Sequence, residues 1–242
     1  MSVSLTVAVP TMDRWDKFLS KTLPTYLNAP QVTEVLICDE NGHDAAAIQA
    51  SKWAGHPKLR LHINSKRLGI YHNKRQCIEL AKSKWVAVLD SDNIFNEEYF
   101  LQLEEILGKD DGQSKHFYAS SNAIFINEET GEVTKPIEHF SGYEISKDTW
   151  NRIFGVPRWN FLLNDGNWVV PKSVVDCLPT TVEDKDILAA DAIYMVHKFI
   201  KAGYIFNLRS ELSYYHIVHD QSTWKATATE SNRIFMGTNW FL

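Results

Sequence analysis

Cysteine is scarce in the 242-residue sequence: Cys38, Cys77 and Cys177 are widely spaced and form no Cys-x-x-Cys pair. That excludes a disulfide framework and a cysteine zinc site, and it suits a reducing compartment, so a cytoplasmic location is expected. No apolar run approaches the ~20 residues that span a bilayer. Residues 1–10 lack the basic segment and the apolar length of a signal peptide. Positive charge is not in excess either. With 25 Lys+Arg against 30 Asp+Glu the formal net charge is −5. This argues against nucleic-acid or anionic-membrane coating, while leaving room for a local basic pocket.

Apolar residues make up 44% of the chain and aromatics 12%, ample for a core. The length fits one large domain or two small ones, and the absence of a linker-like stretch favours one. Short apolar runs alternate with amphipathic stretches, the pattern of a layered α/β fold. Residues 5–9, 34–38, 59–63 and 84–89 read as strands, with further strands at 117–125 and 167–170. Residues 13–28 read as a helix kinked or divided at Pro24, and 69–83 and 97–107 as two more. A last helix is expected over 186–202, stopped by Gly203.

Asp90 and Asp92 close the fourth run. In extended chain, positions i and i+2 face one side, so both carboxylates can converge on one ligand at a strand's carboxyl end. Two such charges repel unless something positive lies between them. A hard divalent cation, Mn²⁺ or Mg²⁺, carrying a diphosphate satisfies that need. Upstream, Lys66, Arg67, Lys74 and Arg75 surround the start of a helix, where cations and backbone N–H groups favour anions. Arg67, Lys74 and Arg75 are expected to gather at that diphosphate.

In this order and spacing, the motifs resemble those of the family-two inverting glycosyltransferases of the GT-A fold. The resemblance runs from about residue 5 to 93 and again from about 166 to 224. Val7-Ala-Val-Pro-Thr11 is similar to the family's first strand and nucleotide-contacting turn, which assigns Pro10 and Thr11 to the nucleotide. The segment 34–42 resembles the second strand, whose terminal Asp, here Asp39, contacts the nucleoside. The segment 68–81 follows the family's third motif loosely, with Lys74 keeping its cation. Val86-Ala-Val-Leu-Asp-Ser-Asp-Asn93 resembles the metal-binding Asp-x-Asp segment. It implies that Asp90 faces the ribose and Asp92 holds the metal. The implied fold is a Rossmann-like three-layer sandwich with a mixed, mostly parallel central sheet. It would comprise a nucleotide-binding half (1–95), an acceptor and catalytic half (96–225) and a tail (226–242).

Inverting transfer is a single displacement that needs a general base. Asp191 is the candidate, a carboxylate on the otherwise apolar helical stripe of Leu188, Ala192, Met195, Phe199 and Ala202. A charge there is costly unless it is paired or lines a cavity. The resemblance also implies a histidine metal ligand, with His219 fitting better than His216. The aromatic and amide-rich stretch around Trp159, Asp165, Asn167 and Trp168 suits a sugar or acceptor subsite. No Gln-x-x-Arg-Trp box is present, which favours single addition over processive synthesis. The expected partners are a UDP sugar and a hydroxyl acceptor. The alternatives are a sugar-phosphate nucleotidyltransferase, which lacks its glycine-rich loop here, and an inactive nucleotide-sugar-binding module.

Overall fold

The computed structural model describes residues 3–110, 115–154, 156, 159, 162–220, 222, 226–227, 229–231 and 233–234. Three apolar runs are buried on both faces, as parallel strands between helical layers must be, and a fourth at the sheet edge is half-buried. They form β1 (Leu5–Thr11), β2 (Val32–Asp39), β3 (Leu59–Ile63) and β4 (Trp85–Val88), parallel throughout in the order β3-β2-β1-β4. Val7, Val35, Ile37 and Val86 are fully enclosed. Strand order reverses at β1, since β2 and β3 extend to one side and β4 to the other. Open α/β sheets bind ligands outside the carboxyl ends of their strands at such a reversal.

Beyond β4 the sheet adds β5 (His116–Asn127), β6 (Val133–Thr134), β7 (Glu144–Ile145), β8 (Trp168–Pro171) and β9 (Ile205–Val218). The order is β3-β2-β1-β4-β8-β5-β9-β7, with β6 on β5. β8 lies antiparallel between β4 and β5, and β9 is parallel to β5. Strands β1 to β5 and β9 therefore point one way and β6 to β8 the other, a mixed and mostly parallel sheet.

Helices α1 (Ser20–Asn28), α2 (His43–Gln49), α3 (Ile70–Leu80), α4 (Glu97–Lys109), α5 (Lys147–Ile153) and α6 (Asp191–Lys201) cover it. α1 meets α4 through Tyr26 against Phe100, with ring centroids 5.9 Å apart. α3 and α5 both pack on α6. Among the described residues no helix is long and apolar enough to cross a membrane.

Helices α2 and α5 and strands β6 and β7 have no counterpart in the sequence expectation, and three further elements depart from it. Pro24 does not divide its helix but lies within α1, and the irregularity sits upstream as a π-helical turn, Trp15–Leu19. The last helix begins at Asp191 and not at 186, because Leu188 adopts φ 43° and short 3₁₀ turns take up 184–186 and 188–190. Strand β9 was not anticipated. The expected tail is described only at 226–227, 229–231 and 233–234.

Candidate active site

The carboxyl ends of β1 and β4 open onto a cluster of charged side chains. Helix α3 starts at Gly69, whose φ of 87° is left-handed and suits glycine. Asn73 then anchors the helix to β2 by donating from Nδ2 to the Cys38 carbonyl at 3.0 Å. That anchor turns the adjacent Lys74 inward, where it is 5% exposed. Its Nζ lies 3.1 Å from Asp90 Oδ1 and 3.1 Å from Asp191 Oδ2. It also lies 5.5 Å from the centre of the Trp168 ring. Asp191 is the first residue of α6, where the helix N-terminus favours a carboxylate.

Burial alone would drive the Lys74 pKa down, but the Asp191 and Asp90 charges override it and hold the ammonium well above its ordinary value. Burial, reinforced by the Asp92 and Asp191 charges, raises the Asp90 pKa despite Lys74.

Asp92 is held from two sides at the same oxygen. Its Oδ2 lies 3.0 Å from His219 Nε2 and 4.0 Å from Arg14 Nε. Burial opposes its charge, yet the His219 hydrogen bond and the His219, His216 and Arg14 charges bring its pKa below the usual 3.8. Backbone pairing joins this loop to β9. Ile94 and Tyr215 exchange both N–H···O bonds at 2.9 Å, and Asn93 Oδ1 accepts the Ile217 N–H at 3.1 Å. His219, one residue beyond β9, is thereby delivered to Asp92, with its ring against Phe18 at 4.9 Å. His216 is directed elsewhere and stacks on Phe125 at 4.3 Å.

Among the described residues no group of three or more His, Cys, Asp or Glu side chains forms a closed metal cage. Asp92 and His219 nevertheless offer one carboxylate oxygen and one imidazole nitrogen. His219 Nδ1 is buried without a hydrogen-bond partner among the described residues. An open pair of this kind fits Mn²⁺ or Mg²⁺ completed by phosphate oxygens.

The remaining expected site residues divide. Thr11 ends β1, but its hydroxyl donates to Asp44 Oδ2 at 2.5 Å, and Pro10 sits beside it within the strand. Asp39 is fully buried, accepting N–H groups from Ala45 at 2.8 Å and Asn41 at 3.2 Å. Its carboxylate thus secures the entry to α2. The expected gathering of three cations does not occur. Arg75 is one position along α3, hence about 100° around it, and engages Glu79 at 2.6 Å and the Leu178 carbonyl at 3.4 Å. Arg67 is exposed beside Glu40.

The aromatic expectation also needs correction. Trp168 is fully buried and Trp159 nearly so, packed on Phe140 and Tyr143, so neither presents a ring face to a sugar. Asn167 is buried and bonds the Asp90 backbone N–H, and Asp165 bonds Asn167 and Tyr214.

Two residues escaped the sequence reading. Arg14 is the second cation near the carboxylates. Asp44, 1% exposed, shapes the loop that carries it by accepting the N–H groups of Arg14 at 2.9 Å and Trp15 at 2.8 Å. The available signals were a basic residue just past the first strand and an acid in a helix's first turn.

The sequence profile of Glycosyl transferase family 2 matches residues 6–164. No curated protein gives a significant match. Among solved structures, S. aureus TarS 1–349 in complex with UDP-GlcNAc superposes with a TM-score of 0.66 at 13% identity. The superposition covers 93% of this chain and 61% of that one, so the present chain spans about three fifths of it. The same TarS segment in complex with UDP gives a TM-score of 0.63 at 14% identity, covering 98% and 67%. At such identities the likeness is one of fold. Because the family profile matches well over half of the chain, and the sheet has this parallel half and reversal point, the chain belongs to glycosyl transferase family 2 and has the GT-A fold.

Proposed function

We propose that the protein is a metal-dependent, inverting, non-processive glycosyltransferase. It would move a sugar from a nucleoside-diphosphate sugar to a hydroxyl of a glycan or other acceptor. The observation that carries this reading is the Lys74 bridge, which draws Asp90 of the Asp-x-Asp segment and Asp191 of a helix far along the chain to one ammonium. A nucleotide-binding carboxylate and a candidate base are needed at one place in a single displacement. The UDP and UDP-GlcNAc complexes of TarS support a UDP sugar as the donor.

In this reading Asp90 lies on the nucleoside side, and Asp92 and His219 would hold Mn²⁺ or Mg²⁺. When bound, such a cation offsets the charge that develops on the departing diphosphate. Lys74 orients Asp191 through their ion pair, and Arg14 places a further cation beside Asp92. Asp191 accepts the acceptor hydroxyl's proton as that oxygen bonds to the anomeric carbon. The bond from that carbon to the diphosphate breaks, and its electron pair leaves with the diphosphate. The chain works as one domain, with nucleotide elements before residue 95 and the base and His219 after it.

The test is transfer from a panel of nucleotide sugars with and without Mn²⁺, with the product anomer read by NMR. An inverted product from a UDP sugar is expected. Asp191→Asn should slow transfer by about 10²–10⁴, the usual worth of a positioned base, and leave UDP affinity unchanged. Undiminished transfer by that variant would remove Asp191 from the mechanism.

A further inference from the structure

The turn formed by Asp165, Gly166 and Asn167 lies directly over the Lys74–Asp90 pair. Asn167 immediately precedes β8, which runs antiparallel to β4 with Val88 opposite Trp168. That pairing sets Asn167 beside the exit of β4. It is 1% exposed, and its amide is fully used. Oδ1 accepts the Asp90 backbone N–H at 2.9 Å, while Nδ2 donates to Asp165 Oδ1 at 2.7 Å and lies 3.3 Å from the Tyr214 hydroxyl. Tyr214 in turn donates to Asp165 Oδ2 and stacks on Phe95 with ring centroids 4.7 Å apart. Burial and the Asp165 charge raise the Tyr214 pKa well above its ordinary value, so its hydroxyl stays a donor. At Gly166 a Cβ would fall 2.2 Å from Lys74 Nζ and 3.0 Å from Asp90 Oδ2. Any side chain there would displace the ammonium from its present position.

We infer that Asn167, braced by Asp165 and Tyr214, is a positioning residue that fixes the Asp90 backbone for nucleotide binding, with Gly166 leaving space for Lys74. The chain of bonds ties the segment that leaves β4 and carries Asp90 to β9, which delivers His219, so the two ends of the site are set relative to each other. The inference rests on the nucleotide-sugar reading for its consequence in binding, but its structural part stands apart from it.

Amide hydrogen exchange at Asp90 and UDP titration in the presence of Mn²⁺, on wild type, Asn167→Ala and Tyr214→Phe, separate the two. Loss of the acceptor in Asn167→Ala should speed exchange of the Asp90 amide by at least about 10-fold, leaving β1 and β2 protected. UDP affinity should fall by about 10–100-fold, as when residues supporting a ligand shell are removed. Tyr214→Phe keeps the Phe95 stack and should show a smaller change of the same sign, and it carries the test if Asn167→Ala does not fold. Wild-type exchange at Asp90 in a folded Asn167→Ala variant would overturn the inference. Absence of UDP binding by the wild type would instead defeat the nucleotide-sugar reading, while exchange at Asp90 still decides the positioning role.

Discussion

Lys74 has two carboxylate partners and almost no water. A buried cation with one partner removed typically costs about 3–5 kcal/mol, because a charge is left uncompensated. Here the roles are inverted, since removing the ammonium would leave Asp90 and Asp191 facing each other with nothing between them. Lys74→Met should therefore lose about 3 kcal/mol of unfolding free energy or more, measured by denaturant titration. Adding Asp191→Asn should restore part of it, because one of the two repelling charges is gone. A Lys74→Met protein as stable as wild type would show that the trio is solvated and not a buried bridge. At this scale the sequence disclosed the acids better than the bases. Asp90, Asp92 and Asp191 declare themselves by strand-end and helix-stripe positions. Arg75 and Lys74 are adjacent in sequence, so only packing decides which one enters the site. Likewise, composition around Trp159 and Trp168 cannot distinguish a buried indole from one that faces a sugar.

The elements were legible where hydrophobic period and stop signals agreed. The runs that form β1 to β4 are short, apolar and closed by turn residues. The sequence pattern starts helix α6 five residues too early because acids at 184 and 186 and the apolar Leu188 extend it upstream, whereas Leu188 takes a left-handed conformation that halts it. The consequence is favourable to Asp191, which moves from a helix middle to a helix N-terminus. β9 was hidden by its polar middle, residues 209–211, which interrupts the apolar alternation. Helix α6 also carries a pH dependence. Burial, with the Lys198 and Lys201 charges, lowers the His197 pKa from 6.5 to about 4. The unfolded chain therefore binds more protons between those values, and stability falls as pH drops from 6.5 towards 4. Between about pH 7.5 and about pH 5, a His197→Gln variant should lose less of its melting temperature than wild type loses. Equal losses would show that His197 does not contribute to the acid sensitivity.

At the scale of the molecule, the sheet assembles a site that neither half of the chain contains. Lys74, Asp90 and Asp92 come from the parallel half, and Asp191 and His219 come from beyond residue 190. The net charge of −5 hides this arrangement. Its acids are spread over the protein, whereas Lys74 and Arg14 stand where the strands end, beside the carboxylates they balance. The family and its fold could be read from motif order, but the separation of Arg75 and Arg67 from the site required the folded chain. In this reading the junction binds a nucleoside diphosphate with the help of a cation at Asp92. Calorimetric titration of UDP into wild type and Asp92→Ala, with and without Mn²⁺, tests it most directly. Mn²⁺ should tighten UDP binding to the wild type by about 10-fold or more, the scale on which ligand-shell changes act, and Asp92→Ala should lose this dependence. Equal UDP affinity with and without Mn²⁺ in the wild type would contradict it.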